Sequence, residues 1–148
     1  MEEDNGRSFN CAESVIIGSN KNENLPGFDS TCMRIGSVLG GGISGYGEVC
    51  GAVSGGIVSL GLILGTNGDE PLDEFKSKRE NTREIVKEYL QEFTNCWGTV
   101  RCEYLIAMDE GKRNPVGTLR SIGTQKKLCE EYVEWSVKKI HDIRSSLK

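Results

Sequence analysis

Between residues 47 and 65 the chain reads Gly47-Glu48-Val49-Cys50-Gly51-Ala52-Val53-Ser54-Gly55-Gly56-Ile57-Val58-Ser59-Leu60-Gly61-Leu62-Ile63-Leu64-Gly65. Val53, Ile57, Leu60 and Leu64 recur three and four residues apart, the spacing of one helical face. A helix from Glu48 to about Leu64 is expected. Its glycines oppose it, each costing up to about 1 kcal/mol relative to alanine in a helix interior. Packing has to repay that cost. Gly47, Gly51, Gly55 and Ser59 lie four apart on the other face, and a face without side chains lets a second backbone come close. The apolar stretch from Val49 to Gly65 is broken by five glycines and two serines, which makes it a poor membrane span. The reading is a buried, central, glycine-rich helix.

Working outward, the pattern stays helical. Asn10 precedes Cys11-Ala12-Glu13, and an Asn cap with Glu three residues later is a capping box. A second helix is expected from Ser30 to Leu39. Gly40-Gly41-Gly42-Ile43-Ser44-Gly45-Tyr46-Gly47 must then bend. Asp69-Glu70-Pro71 opens a long amphipathic helix with Phe75, Ile85, Val86, Tyr89, Leu90 and Phe93 on one face. Charges of both signs at three- and four-residue spacing cover its other face, up to Asn95-Cys96-Trp97-Gly98. A short helix from Cys102 to Met108, a polar loop from Asp109 to Gly123 and a last helix from Thr124 to Leu147 complete the chain. Cys129, Val133, Val137 and Ile140 form the last helix's inward stripe. No period-two segment of strand length stands out. The expected fold is an all-α, single-domain bundle of five or six helices spanning 1–148, with 1–8 a flexible start.

The chain has 148 residues, of which 19 are glycine, 6 cysteine and 1 histidine, and a net charge of −4. Glycine is about twice its usual ~7 % share without a Gly-X-Y period, which excludes collagen. The acidic balance gives no sign of nucleic-acid binding. The acidic, polar start Met1-Glu2-Glu3-Asp4 is unlike a secretory signal. A cytoplasmic protein is expected, without membrane insertion. In that reducing setting cysteines serve as free thiols, metal ligands or transient redox groups rather than structural bridges. A homo-oligomer is compatible with the sequence.

Two motifs lead nowhere. Gly40 to Gly45 satisfies G-x-G-x-x-G, but a dinucleotide site needs a strand before it and a βαβ unit around it. His141, the single histidine, reads as a partly exposed surface residue of the last helix. The cysteines carry more. Cys11 would be the first helical residue after Asn10, and Cys50 would fall in the first turn of the glycine-rich helix. Free N–H groups and the helix dipole favour a thiolate at both places. Cys129 points inward from the last helix. Cys32 and Cys96 read as small apolar filler.

Asn10-Cys11-Ala12-Glu13-Ser14-Val15, Gly40-Gly41-Gly42-Ile43 and Gly47-Glu48-Val49-Cys50-Gly51-Ala52-Val53-Ser54-Gly55 together resemble the C_GCAxxG_C_C family of small bacterial and archaeal proteins. That resemblance implies redox chemistry at clustered cysteines and names no substrate. It places the family's four cysteines on Cys11, Cys50, Cys102 and Cys129.

Three function classes follow. The first is a thiol redox protein and possible thiol-disulfide oxidoreductase. There Cys50 is the reactive thiolate, Cys11 its disulfide partner, and Cys102 with Cys129 a second pair, acting with an unknown redox partner. Gly47, Gly51 and Gly55 would admit a backbone, a partner or a cofactor, and Glu48 would accept a proton or serve as a dipole partner. The second is an electron carrier whose Cys11, Cys50, Cys102 and Cys129 hold an Fe–S cluster or another soft metal. The third is a helical partner-binding protein whose cysteines only pack.

Overall fold

The computed structural model describes residues 3–113 and 122–147. Among them are six helices: α1 (Cys11–Glu23), α2 (Ser30–Gly36), α3 (Gly51–Leu64), α4 (Leu72–Trp97), α5 (Cys102–Arg113) and α6 (Ile122–Ser146). The all-α architecture is as expected. The strands β1 (Glu3–Asp4) and β2 (Arg7–Ser8) form one short antiparallel pair ahead of α1.

Local chemistry explains the helix ends. Asn10 accepts from the Glu13 N–H at 2.8 Å, and the Glu13 carboxylate accepts from the Asn10 N–H at 2.9 Å, closing the expected capping box. Asp29 caps α2 by accepting from the Thr31 N–H. Gly98 ends α4 at φ 97°, a left-handed position suited to glycine.

α3 packs against α1, α2, α4 and α6. A Cβ on Gly55 would lie 2.5 Å from the Ala12 carbonyl oxygen, and one on Gly51 would lie 3.0 Å from Cys11 Cβ. The bare face of α3 is therefore the seat of α1, and the missing side chains let the two backbones meet. Val15, Val53, Leu60, Tyr89, Phe93, Tyr132 and Ile140 form the main core. Phe93 meets Trp135 edge-on at 5.3 Å and Trp97 meets Tyr132 edge-on at 4.9 Å, joining α4 to α6.

Several boundaries differ from the sequence reading. α2 stops at Gly36, and residues 37–45 form consecutive turns followed by a bend at 46–48. α5 continues through 109–113, where a loop was expected. Asn114-Pro115 lies outside the described residues. α3 begins at Gly51 rather than Glu48. The reason is a pairing distant in sequence. Val49 bridges Arg101, the Cys50 N–H donates to the Val100 carbonyl at 2.7 Å, and the Cys102 N–H donates to the Glu48 carbonyl at 2.6 Å. Val49 and Cys50 are thus held out of the helix, and Cys50 becomes the N-cap.

Among the described residues no helix is long and apolar enough to cross a membrane.

Candidate functional site

Four of the six cysteines line one cavity of about 540 Å³. Cys11 comes from the first residue of α1, Cys50 from the N-cap of α3, Cys102 from the first residue of α5 and Cys129 from within α6. Three helix starts therefore converge on the cavity. Tyr132 adds an aromatic wall, Leu105 and Ile106 an apolar one, and Glu103 a carboxylate. Gly41, Gly45, Tyr46 and Gly47 form the remaining side.

That side is built by unusual backbone. Gly41, Gly42, Gly45 and Gly47 have φ between 68° and 78°, and the non-glycine residues Ile43 and Ser44 also have positive φ. The loop folds on itself: the Gly47 N–H donates to the Gly41 carbonyl at 3.1 Å and the Glu48 N–H to the Gly42 carbonyl at 2.9 Å. Gly42 lies so tightly that a Cβ there would come within 2.6 Å of the Glu48 nitrogen and 2.8 Å of Cys102 Cβ. The loop's amides thus serve its own fold, and it sets the position of Cys102.

The sulfurs act on one another. Cys11 is hydrogen-bonded to Cys129, and this contact, followed by burial and the other sulfurs, pushes its thiol far above the ordinary range. Cys50 is only 5 % exposed. Burial pushes its thiol up to about 12. The N–H groups of Ala52 and Val53, at the start of α3, act on Cys50 in the opposite direction. The helix-start stabilisation expected for a Cys50 thiolate is present, and desolvation outweighs it. At neutral pH Cys50 holds its proton.

The other candidates fall elsewhere. Cys32 is buried with Ile16 and Leu25, its thiol donating to the Gly27 carbonyl at 3.6 Å. Cys96 is exposed rather than packed, because position 96 falls on the solvated face of α4. Glu48 pairs with Arg101 at 3.4 Å, with both side chains substantially exposed. Glu103 is the carboxylate that lines the cavity, and sequence spacing gave no reason to single it out. His141 is exposed on α6, contacts Glu23, and lines a different groove between α1 and α6. Gly47 and Gly51 line the thiol cavity, while Gly55 lies under α1.

The site thus belongs to a small helical protein that gathers four thiols around one cavity. Residues 9–143, nearly the whole chain, match the model of the family described as "Putative redox-active protein (C_GCAxxG_C_C)", and the chain belongs to that family. Comparison with the curated proteins and with the solved structures gives no match.

Proposed function

We propose that the protein is a thiol-disulfide redox protein whose working pair is Cys11 and Cys129. Their place on the wall of one cavity, in contact with each other, carries the reading. That contact and burial hold the proton on Cys11, which disfavours Cys11 as the attacking sulfur. Cys129 is thus the attacking sulfur and Cys11 the resolving one. Cys129 attacks a disulfide RS–SR, forming a Cys129–SR bond and releasing RSH. Cys11 then attacks Cys129 in that mixed disulfide, releasing the second RSH. The two thiols lose two electrons and two protons, and the substrate disulfide gains them.

Cys50 and Cys102 line the same cavity and influence each other electrostatically. They supply a second dithiol able to exchange with the first. The first-named role therefore moves from Cys50, whose burial opposes a resting thiolate, to Cys129. Free thiols in this number suit a reducing compartment such as the cytoplasm.

A soft-metal carrier draws less support. A structural thiolate site takes four ligands at about 2.3 Å from one ion. Among the described residues no group of three or more His, Cys, Asp or Glu side chains is placed to hold a metal ion.

The test is a redox cycle combined with metal analysis. The protein is purified anaerobically, assayed for metal, oxidised with diamide, re-reduced with dithiothreitol, and its thiols titrated at each stage. The proposal expects a metal-free protein that loses two thiols reversibly, and expects Cys129→Ser to abolish that step. Stoichiometric iron or zinc, or a full thiol count after diamide, overturns it.

A further inference from the structure

The loop on one side of the thiol cavity displays apolar side chains. Val38, Ile43 and Tyr46 are 55 %, 45 % and 83 % exposed, and Tyr46 also lines the cavity. Single exposed apolar residues are ordinary, whereas a group of them beside a site marks a contact surface. Hydrogen bonds within the loop tie this group together. The Ser44 N–H and hydroxyl donate to the Val38 carbonyl at 2.9 and 2.8 Å, and the Tyr46 N–H donates to the Ile43 carbonyl at 3.0 Å.

Ile43 is the informative member. Its φ is 67°, a left-handed conformation that is costly for a β-branched residue. Burial in a core could offset that cost, but Ile43 stands nearly half open to solvent. Glycine, present with positive φ at 41, 42, 45 and 47 of the same loop, would fit this backbone without strain. A strained isoleucine kept at the surface points to a contact with another molecule.

The charges beside the cavity narrow the partner. Glu103 lines the cavity, and Arg101 pairs with Glu48 at 3.4 Å and with Glu103 at 3.8 Å. Two carboxylates against one guanidinium leave this group net negative. Arg101 also lies over the exposed Tyr104 ring, 4.6 Å from its centroid, which sets a second aromatic beside these charges. Glutathione disulfide carries surplus carboxylates and no apolar side chain, so the charges repel it and the loop gives it nothing. A polypeptide whose cysteine is flanked by apolar residues, without acidic ones, suits both.

We infer that the loop carrying Val38, Ile43 and Tyr46 is the docking surface for a polypeptide disulfide with apolar, non-acidic flanks. It selects such chains over small anionic disulfides. The substrate class rests on the thiol-disulfide reading; the docking surface does not. The chemistry is the exchange already described: two thiols of this chain give two electrons and two protons to the peptide disulfide, which leaves as two thiols.

The experiment uses the reduced full chain, freed of reductant, in single turnover. The first probe is a short peptide with cysteine between phenylalanine and leucine, joined to its own copy by a disulfide. The second is the same dimer with serines as flanks. Glutathione disulfide and the small, neutral hydroxyethyl disulfide complete the set. The apolar dimer should be reduced about fivefold faster than the serine dimer, and faster than glutathione disulfide. Ile43→Gly keeps the backbone conformation and relieves its strain. It should slow the apolar dimer about fivefold, the size of re-exposing half an isoleucine, and leave hydroxyethyl disulfide unchanged. Val38→Ser, at a position with no such strain, should act in the same direction. Equal rates for the two dimers, or a loss shared by hydroxyethyl disulfide in both variants, overturns the inference.

A second readout is independent of the thiols. The apolar peptide, with serine in place of its cysteine, is added to the native chain and amide NMR shifts are followed. Shifts should centre on residues 38–46 and weaken in Ile43→Gly. If they do while no disulfide is reduced, the thiol reading fails and the docking surface stands. If no amide of the loop moves, the docking surface fails, whichever disulfides are reduced.

Discussion

The same substitution at two positions of α3 should have opposite effects. Gly55→Ala places a methyl group 2.5 Å from the Ala12 carbonyl oxygen, 2.9 Å from Ala12 Cα and 3.0 Å from Val15 Cβ. Carbon atoms pack best at about 3.5–4.0 Å, so α1 must retreat by roughly half an ångström or more. Two of the three atoms met are backbone and cannot rotate away. Overpacking of this kind costs about 1–3 kcal/mol, and immovable neighbours put this site at the upper end. The alanine returns up to about 1 kcal/mol of helix propensity. Gly55→Ala should therefore lose about 2 kcal/mol. Gly61 lies in the same helix, is exposed, and has nothing within 4 Å of an added Cβ. Gly61→Ala should gain about 0.5–1 kcal/mol from propensity alone. Urea unfolding followed by circular dichroism reads both as midpoint shifts of opposite sign at unchanged slope. Because Gly55 seats α1, its variant should also separate Cys11 from Cys129 and weaken their coupling, whereas Gly61→Ala should not. Equal stability of the two variants would refute the argument that α3 is glycine-rich because α1 lies on it.

Further outcomes follow from the site. Burial raises the Cys50 thiol from its ordinary 9.0 to about 12, so its contribution to stability is complete below 9.0 and is lost as pH rises toward 12. Urea midpoints of the native protein should fall between pH 9 and 12, and those of Cys50→Ala should fall less. Iodoacetamide at neutral pH, followed by mass spectrometry, should label exposed Cys96 first and buried Cys32 and Cys50 last. Gly42→Ala should displace Cys102 and cost about 1–3 kcal/mol, from a left-handed φ of 74° combined with a tight Cβ position, read by thermal unfolding. Asn10→Ala removes a capping box and should cost about 1 kcal/mol in the same assay.

What could be read from the chain was what local spacing determines. Asn10 and Glu13 are three residues apart, so their reciprocal cap is a local fact. Gly51 and Gly55 are one helical turn apart, so a bare face was visible, although what would occupy it was not. Cys50 is the instructive departure. Its place at the α3 start was nearly right, but the Val49–Arg101 pairing, which moves the start to Gly51, joins segments about fifty residues apart. The burial that pushes the Cys50 thiol up is non-local as well. Helix-start amides can be inferred from sequence, whereas desolvation depends on everything folded around the sulfur. The Cys11–Cys129 contact is equally non-local, and sequence offered no way to prefer it over a Cys11–Cys50 pair. Tyr89 was legible as a core residue of α4, and only the structure shows its hydroxyl reaching Ala52 across Gly56.

The most direct test of the account is to map the first disulfide. The reduced protein is treated with one equivalent of diamide, quenched with acid, digested at low pH and searched for linked peptides. The account predicts a dominant link between the peptides carrying Cys11 and Cys129, with Cys32 and Cys96 unlinked. A first link between Cys11 and Cys50, or no intramolecular link at all, would contradict it.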